Sequence, residues 1–271
     1  MTPAGDLSRL GRLWLIGCGN MGGALLGRWL DAGLSGITVI DPNAGDRPGV
    51  ATSITLPADG TPDIVVLAVK PQIWLAATAE LTARLAPSSL TRPTLIVSVM
   101  AGIGTAALAA RFGGSPIVRT MPNTPARIGQ GVTALFGLGV DASNHERATL
   151  LMAAAGDTVW LDREQDFDAV TAVSGSGPAY VFAFIEALAA AGEAAGLSAD
   201  LAARLALGTV TGAAALAAER SASPAELRVA VTSPNGTTAA GLAVLQDGLP
   251  MLARATVAAA QSRSHELGRA A

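Results

Sequence analysis

Cysteine occurs once in the 271 residues, at Cys18, so neither an internal disulfide nor a cysteine-rich metal site can form. Charge is also scarce: Asp, Glu, Lys and Arg make up 14% of the chain, and the formal net charge is −3. No basic run is present, which argues against nucleic acid as a partner. The two histidines, His145 and His265, lie far apart with no ligand spacing, so no metal site is expected. Apolar residues reach 50%, yet no uninterrupted apolar run attains the ~20 residues that span a bilayer. The most apolar helical stretch, 179–197, carries Glu186 and Glu193, and carboxylates there oppose insertion. The apolar segment 13–16 is too short for a secretory leader and runs straight into glycines. We therefore expect a soluble, cytoplasmic protein with no membrane partner.

What is present is an alternation of two patterns. Short β-rich runs at 13–16, 37–40, 64–69, 94–99, 117–119, 132–136 and 158–161 are separated by alanine- and leucine-rich stretches such as 21–31, 72–85 and 105–112. Strands that are apolar throughout and alternate with helices predict a parallel sheet covered on both faces. That is the pattern of a doubly wound dinucleotide-binding domain. After Asp162 the β-rich runs stop, and from Pro178 only helical patterns remain, broken at 196–198, 221–224, 233–236 and near Gly248. Ser198 and Ser223, the latter before Pro224, read as helix starts. We expect an α/β Rossmann-like domain over 1–162 and an all-α domain over 163–271. The alanine-rich helical part offers too thin a core to bury its own leucines, so at least a homodimer is expected.

The first chemical signal is Gly17-Cys18-Gly19-Asn20-Met21-Gly22, which follows a strand and opens an amphipathic helix. Gly17 permits the tight turn, Gly19 admits a pyrophosphate to the backbone, and Gly22 lets the helix pack close to the sheet. Freed amides at the helix start then face the phosphate charge. Asp41 follows Gly22 by 19 residues (41 − 22), near the ~20 expected for an acid that binds the adenosine ribose. A carboxylate there repels a 2′-phosphate, so NADH is expected to be used better than NADPH, unless Arg47 folds over the phosphate. Val69-Lys70-Pro71 and the 98–102 loop with Ala101 close two further strands, where ligands of such sheets sit.

Three more segments are specific: 119–125 (RTMPNTP), 174–180 (SGSGPAY) and 232–238 (TSPNGTT). In this order, with the glycine turn and Val69–Pro71, they resemble the pyrroline-5-carboxylate reductase family over nearly the whole chain. The resemblance implies a Rossmann domain followed by a helical dimerisation domain that builds intertwined dimers or larger rings, with the active site at the dimer interface. It implies hydride transfer from NADPH or NADH to the C=N bond of 1-pyrroline-5-carboxylate, giving L-proline, the last step of proline biosynthesis. Thr238 is then the hydroxyl nearest the substrate nitrogen, and Ser233, Gly236, Thr237, Thr238 and Ser176 bind substrate. Gly17, Cys18, Gly19, Asn20, Met21, Gly22, Asp41, Val69, Lys70, Pro71, Ala101, Pro122 and Glu164 are the implied cofactor residues.

The chemistry suits the residues. A substrate carboxylate needs convergent donors, and the 233–238 turn offers hydroxyls and free amides at Gly236, Thr237 and Thr238. No histidine or carboxylate stands there as a general acid, so catalysis is expected to rest mainly on alignment. Gly175 and Gly177 are expected to be structural, with ligand contact open to Ser174 and Ser176. Asn235 replaces a usual second glycine, a change that asparagine's tolerance of positive φ accommodates. Gly208 and Val229-Ala230 also depart from the family pattern by removing polar groups. The alternatives are a reductase of another cyclic imine, a hydroxyacid dehydrogenase, and a cofactor-binding regulator without turnover. Residues 163–271 contain no lysine, which disfavours the dehydrogenase.

Overall fold

The eight strands of this computed structural model, which describes residues 7–45, 49–85, 93–219 and 221–270, form one sheet. In chain order they are β1 (Leu13–Ile16), β2 (Ile37–Ile40), β3 (Ala51–Ser53), β4 (Ile64–Leu67), β5 (Leu95–Ser98), β6 (Ile117–Met121), β7 (Gly131–Leu138) and β8 (Gly156–Trp160). Their order across the sheet is β3-β2-β1-β4-β5-β6-β7-β8. The first six strands pair in parallel and follow the doubly wound order, which switches direction beside β1.

Among the described residues, ten α-helices accompany them: α1 (Asn20–Asp31), α2 (Trp74–Ala77), α3 (Ala79–Arg84), α4 (Thr105–Arg111), α5 (Ala142–Ala153), α6 (Phe167–Val170), α7 (Gly177–Ala194), α8 (Ala199–Ala218), α9 (Pro224–Ala230) and α10 (Thr237–Ala270). Every residue of β1, β4 and β5 is buried, because helices cover both faces of the sheet centre. Alternate side chains divide between the two faces. Leu13 and Leu15 join a core with Leu25, Leu26 and Trp29, while Trp14 and Ile16 join one with Trp74, Leu81 and Leu108.

Two sheet features depart from the expected pattern. Strand β7 runs antiparallel to β6, since residues 122–130 are too few for the crossover that a parallel neighbour requires. Strand β3 carries no apolar signal, because it is a three-residue edge strand that is exposed or half-buried throughout.

The tryptophans are structural. Trp14 and Trp29 are both fully buried, but only Trp29 finds a partner, donating from Nε1 to the Leu151 carbonyl at 2.9 Å. The Trp14 Nε1 has no hydrogen-bond partner. A buried donor left unpaired costs about 1–3 kcal/mol, so the two Trp→Phe variants should differ although they lose the same atoms. Trp29→Phe is expected to destabilise by about 1–2 kcal/mol more than Trp14→Phe. Urea unfolding of both variants measures the difference, and equal losses would contradict the assignment.

The chain divides into two compact units, residues 1–175 with 260–271, and residues 176–259. In the second unit α7 and α8 pack against each other around a turn in which Gly196 takes φ +100°. Helix α9 starts at Pro224 after Ser223, as the sequence predicts, and Ser223 and Glu226 add a reciprocal capping box. Ser198 precedes α8 but makes no side-chain cap bond. The expected break near Gly248 is absent. Helix α10 runs on through Gly248 and Pro250, so proline here removes one backbone donor without ending the helix.

The buried apolar side chains among the described residues of this unit are Ala202 and Ala206 alone. Phe182, Leu205, Val244 and Met251 are all exposed. Two helical stretches, Glu164–Ala194 and Ala199–Ala218, are long and apolar enough to cross a membrane. This criterion rests on length and composition and tolerates charged residues, so it does not conflict with the absence of an uninterrupted apolar run. Such helices also arise wherever subunits bury one another's apolar faces.

Candidate active site

The glycine turn sits at the carboxyl end of β1, beside the switch in strand order. Gly17 takes φ +91° and donates its amide to the Ile40 carbonyl at 2.9 Å. A Cβ on Gly17 would lie 2.7 Å from Val69 Cγ1 and 2.8 Å from the Ala68 carbonyl oxygen. One on Gly22 would meet the Gly17 carbonyl oxygen at 2.5 Å. A Cβ on Gly19 would meet nothing within 4 Å. Two glycines are thus demanded by packing, while the third faces open space, as a backbone cradle for a pyrophosphate requires. Gly19 is the N-cap residue of α1 and brings no side chain to its first turn, leaving that turn to an anionic ligand.

Asp41 follows β2 and reaches back to this turn. Its Oδ2 accepts from the Cys18 amide at 2.6 Å and its Oδ1 from the Asn43 amide at 2.7 Å. A carboxylate touching the glycine turn is where an adenosine ribose is held in such folds. Arg47, the alternative phosphate partner, lies outside the described residues.

Val69, Lys70 and Pro71 follow β4, and Lys70, the only lysine of the chain, is exposed. After β5, the Ser98 hydroxyl accepts from the Met100 amide at 3.3 Å, Ala101 is exposed and Gly102 takes φ +80°. After β6, Pro122 is buried and Asn123 is 9% exposed. Asn123 fastens three segments: its amide nitrogen donates to Ser174 Oγ at 3.2 Å, and its Oδ1 accepts from the Val132 amide at 2.9 Å. Ser174 belongs to a single π-helical turn, Thr171–Gly175, a form found often at functional sites. A Cβ on Gly175 would lie 2.8 Å from Met121 Cε, the mobile end of a flexible side chain that can move aside. Gly177, likewise expected to be structural, has open space beside it, so packing does not explain it.

Glu164 joins an arrangement that its position in the chain did not suggest. Its Oε1 accepts from the Thr105 amide at 2.7 Å and from Arg119 Nη1 at 3.0 Å, and its Oε2 accepts from the Thr105 hydroxyl at 2.6 Å. The Arg119 guanidinium also lies 4.2 Å from the ring centroid of Phe167. Burial alone would raise the Glu164 pKa. The Thr105 hydroxyl, the Thr105 amide and Arg119 outweigh it and hold the carboxyl below its ordinary value. Ionised Glu164 therefore adds stability above the ordinary carboxylate range, and this is lost as pH falls through the lowered value. Thr105 and Arg119 were missed as partners, the only local hint being a threonine after Gly104 at a helix start.

Within the helical unit, residues 233–238 form a tight turn into α10. Asn235 adopts φ +59°, the only positive φ among the described non-glycine residues, as the replacement of glycine by asparagine anticipates. The Gly236 amide donates to the Ser233 carbonyl at 3.0 Å. It is therefore not the free donor expected of it, because closing the turn consumes it. The amides of Thr237 and Thr238 lie in the first turn of α10, and Ser233, Thr237 and Thr238 are exposed. Ser176 precedes α7 as a half-buried N-cap residue without a side-chain cap bond.

A doubly wound sheet with an open glycine cradle at its switch point defines a dinucleotide-binding unit. Residues 12–102 match the family model for NADP oxidoreductase, coenzyme F420-dependent, and residues 164–267 match that for pyrroline-5-carboxylate reductase dimerisation. The chain is 43% identical to pyrroline-5-carboxylate reductase of Pseudomonas aeruginosa over 94% of its length and 96% of that protein's. It is 37% identical to the enzyme of Corynebacterium melassecola over 94% of this chain and 98% of that protein. The solved pyrroline-5-carboxylate reductase of Coxiella burnetii superposes with a TM-score of 0.87 at 34% identity, covering 95% of this chain and 98% of that one. The Plasmodium falciparum pyrroline carboxylate reductase, solved with NADP bound, gives a TM-score of 0.79 at 28% identity, covering 95% and 98%. The chain belongs to the pyrroline-5-carboxylate reductase family. The exposed apolar faces of α7 and α8 fall inside its dimerisation region.

Proposed function

We propose that this protein reduces 1-pyrroline-5-carboxylate to L-proline with NAD(P)H, the last step of proline biosynthesis. The observation that carries this is 43% identity to such an enzyme across nearly the whole of both chains. The glycine cradle and the exposed 233–238 turn are consistent with it.

When bound, the cofactor supplies a hydride to the imine carbon, while the ring nitrogen gains a proton. The chain's own residues hold and align. Gly17 to Gly22 cradle the pyrophosphate, Asp41 faces the adenosine ribose, and Val69, Lys70, Pro71, Ala101 and Pro122 border the rest of the cofactor. Ser233, Thr237 and Thr238 gather the substrate carboxylate with hydroxyls and helix-start amides. Gly236 shapes that turn, and Ser176 contributes from the start of α7. Thr238 lies beside the ring nitrogen and relays or orients its proton, so alignment supplies most of the rate. The protein acts as a homodimer or larger homo-oligomer in the cytoplasm, with the domain boundary set by the sequence pattern at 162/163, although the compact units divide at 175/176.

The test is NADH and NADPH oxidation with pyrroline-5-carboxylate, set against other cyclic imines and 2-keto acids. Pyrroline-5-carboxylate should be turned over best. Asp41 should also make kcat/KM higher with NADH than with NADPH, since its carboxylate would face a 2′-phosphate. Bound cofactor without turnover would overturn the enzymatic reading, and a strong NADPH preference would overturn the role of Asp41 alone.

A further inference from the structure

The Glu164 carboxylate accepts three bonds, two from Thr105 and one from Arg119. Those partners come from adjacent elements that serve the ligand side of the sheet. Thr105 is the first residue of α4 and ends the 99–104 loop after β5; Arg119 lies on β6, two residues before Met121 and the Pro122-Asn123 loop. The same two strands are tied again by the Thr120 hydroxyl, which donates to the Ser98 carbonyl at 3.1 Å. The carboxylate packs against Gly104, where a Cβ would sit 3.4 Å from Oε1, at the edge of ordinary contact. Side-chain exposure is 15% for Arg119 and 27% for Glu164, so this is a partly desolvated pair, not a solvated surface bridge.

We propose that Glu164 is a positioning residue for cofactor binding, which locks the β5–α4 loop and the β6 loop in register through Thr105 and Arg119. This replaces the direct cofactor contact expected for it. A carboxylate whose two oxygens already hold three donors has little capacity left for a ligand hydroxyl or amide. The inference rests on the reading of these two loops as cofactor-facing. Loss of the ionised group frees the start of α4 and leaves Arg119 against Phe167 with no counter-charge. Both loops then gain freedom that binding must remove.

The test is titration of NADPH and NADH, followed by nicotinamide fluorescence, with wild type as reference and thermal melting as the folding control. Glu164→Gln should weaken cofactor binding by about tenfold, the size of one lost charge-assisted bond, and raise cofactor KM with less effect on kcat. Arg119→Met should do the same, and the double variant should be no worse than the weaker single one, because the residues act as a unit. Wild-type affinity should fall on acidification through the Glu164 pKa, and Glu164→Gln should flatten that dependence. Unchanged affinity in Glu164→Gln, or losses that add in the double variant, would overturn the proposal, the second by pointing to direct contact. If Glu164→Gln does not fold, Thr105→Val removes only the hydroxyl bond and must still weaken binding; wild-type affinity there overturns it equally. A wild type that binds neither nucleotide defeats the cofactor reading instead.

Discussion

Replacing Thr238 by alanine is expected to lower kcat/KM with pyrroline-5-carboxylate about 10²-fold, the cost of removing one aligned donor from a reacting centre. The protein should fold normally, because Thr238 is exposed in the first turn of α10. Thr238→Ser keeps the hydroxyl and should recover most of the loss, whereas Thr238→Val keeps the shape alone and should behave like alanine. Cofactor affinity should stay near wild type in all three, since the residue serves the substrate. Steady-state kinetics with the substrate varied at saturating cofactor reads the effect. Near-normal turnover in Thr238→Ala would remove Thr238 from the site.

The second large effect concerns two glycines three residues apart. Gly19→Ala adds a methyl group into open space, so folding stability should change by no more than about 0.5 kcal/mol. That methyl group stands where the pyrophosphate must approach the backbone, and NAD(P)H affinity should fall on the order of a hundredfold. Gly22→Ala does the opposite kind of damage. Its Cβ would lie 2.5 Å from the Gly17 carbonyl oxygen, and relieving such overpacking costs about 1–3 kcal/mol of stability. Urea unfolding and fluorescence titration of the same two variants separate the roles. If Gly19→Ala binds cofactor normally, or if both variants are equally destabilised, the cradle is misplaced.

The fold was legible where burial on both faces forces unbroken apolar runs. Strands β1, β2, β4 and β5 lie within their sequence-based bounds for this reason, and the turn chemistry of Gly17–Gly22 marks the first strand's end. Edge and direction were not legible. Three-residue β3 buries too little to carry a pattern, and the reversed direction of β7 follows from a connection length that local periodicity does not register. The helical part showed its helices but not their continuity, as Gly248 and Pro250 lie inside α10 without breaking it.

The glycine turn and Asp41 could be named from sequence because each is a local device, whereas the 233–238 turn was named through the family resemblance. The residues of a local device are neighbours, or lie at a spacing set by one strand–helix–strand unit. Other parts were decided only by tertiary structure. Thr105, Arg119 and Glu164 are separated by 14 and 45 residues (119 − 105 and 164 − 119), and no periodicity links them. The parallel sheet sets β5 beside β6 and so brings Thr105 and Arg119 to one carboxylate. Likewise Asp41 reads from sequence as a ribose-binding acid, but only the folded chain shows its carboxylate bonded to the Cys18 amide. Local chemistry is written in neighbouring residues, whereas which distant groups share a charge depends on strand order, and strand order exists only once the sheet has formed.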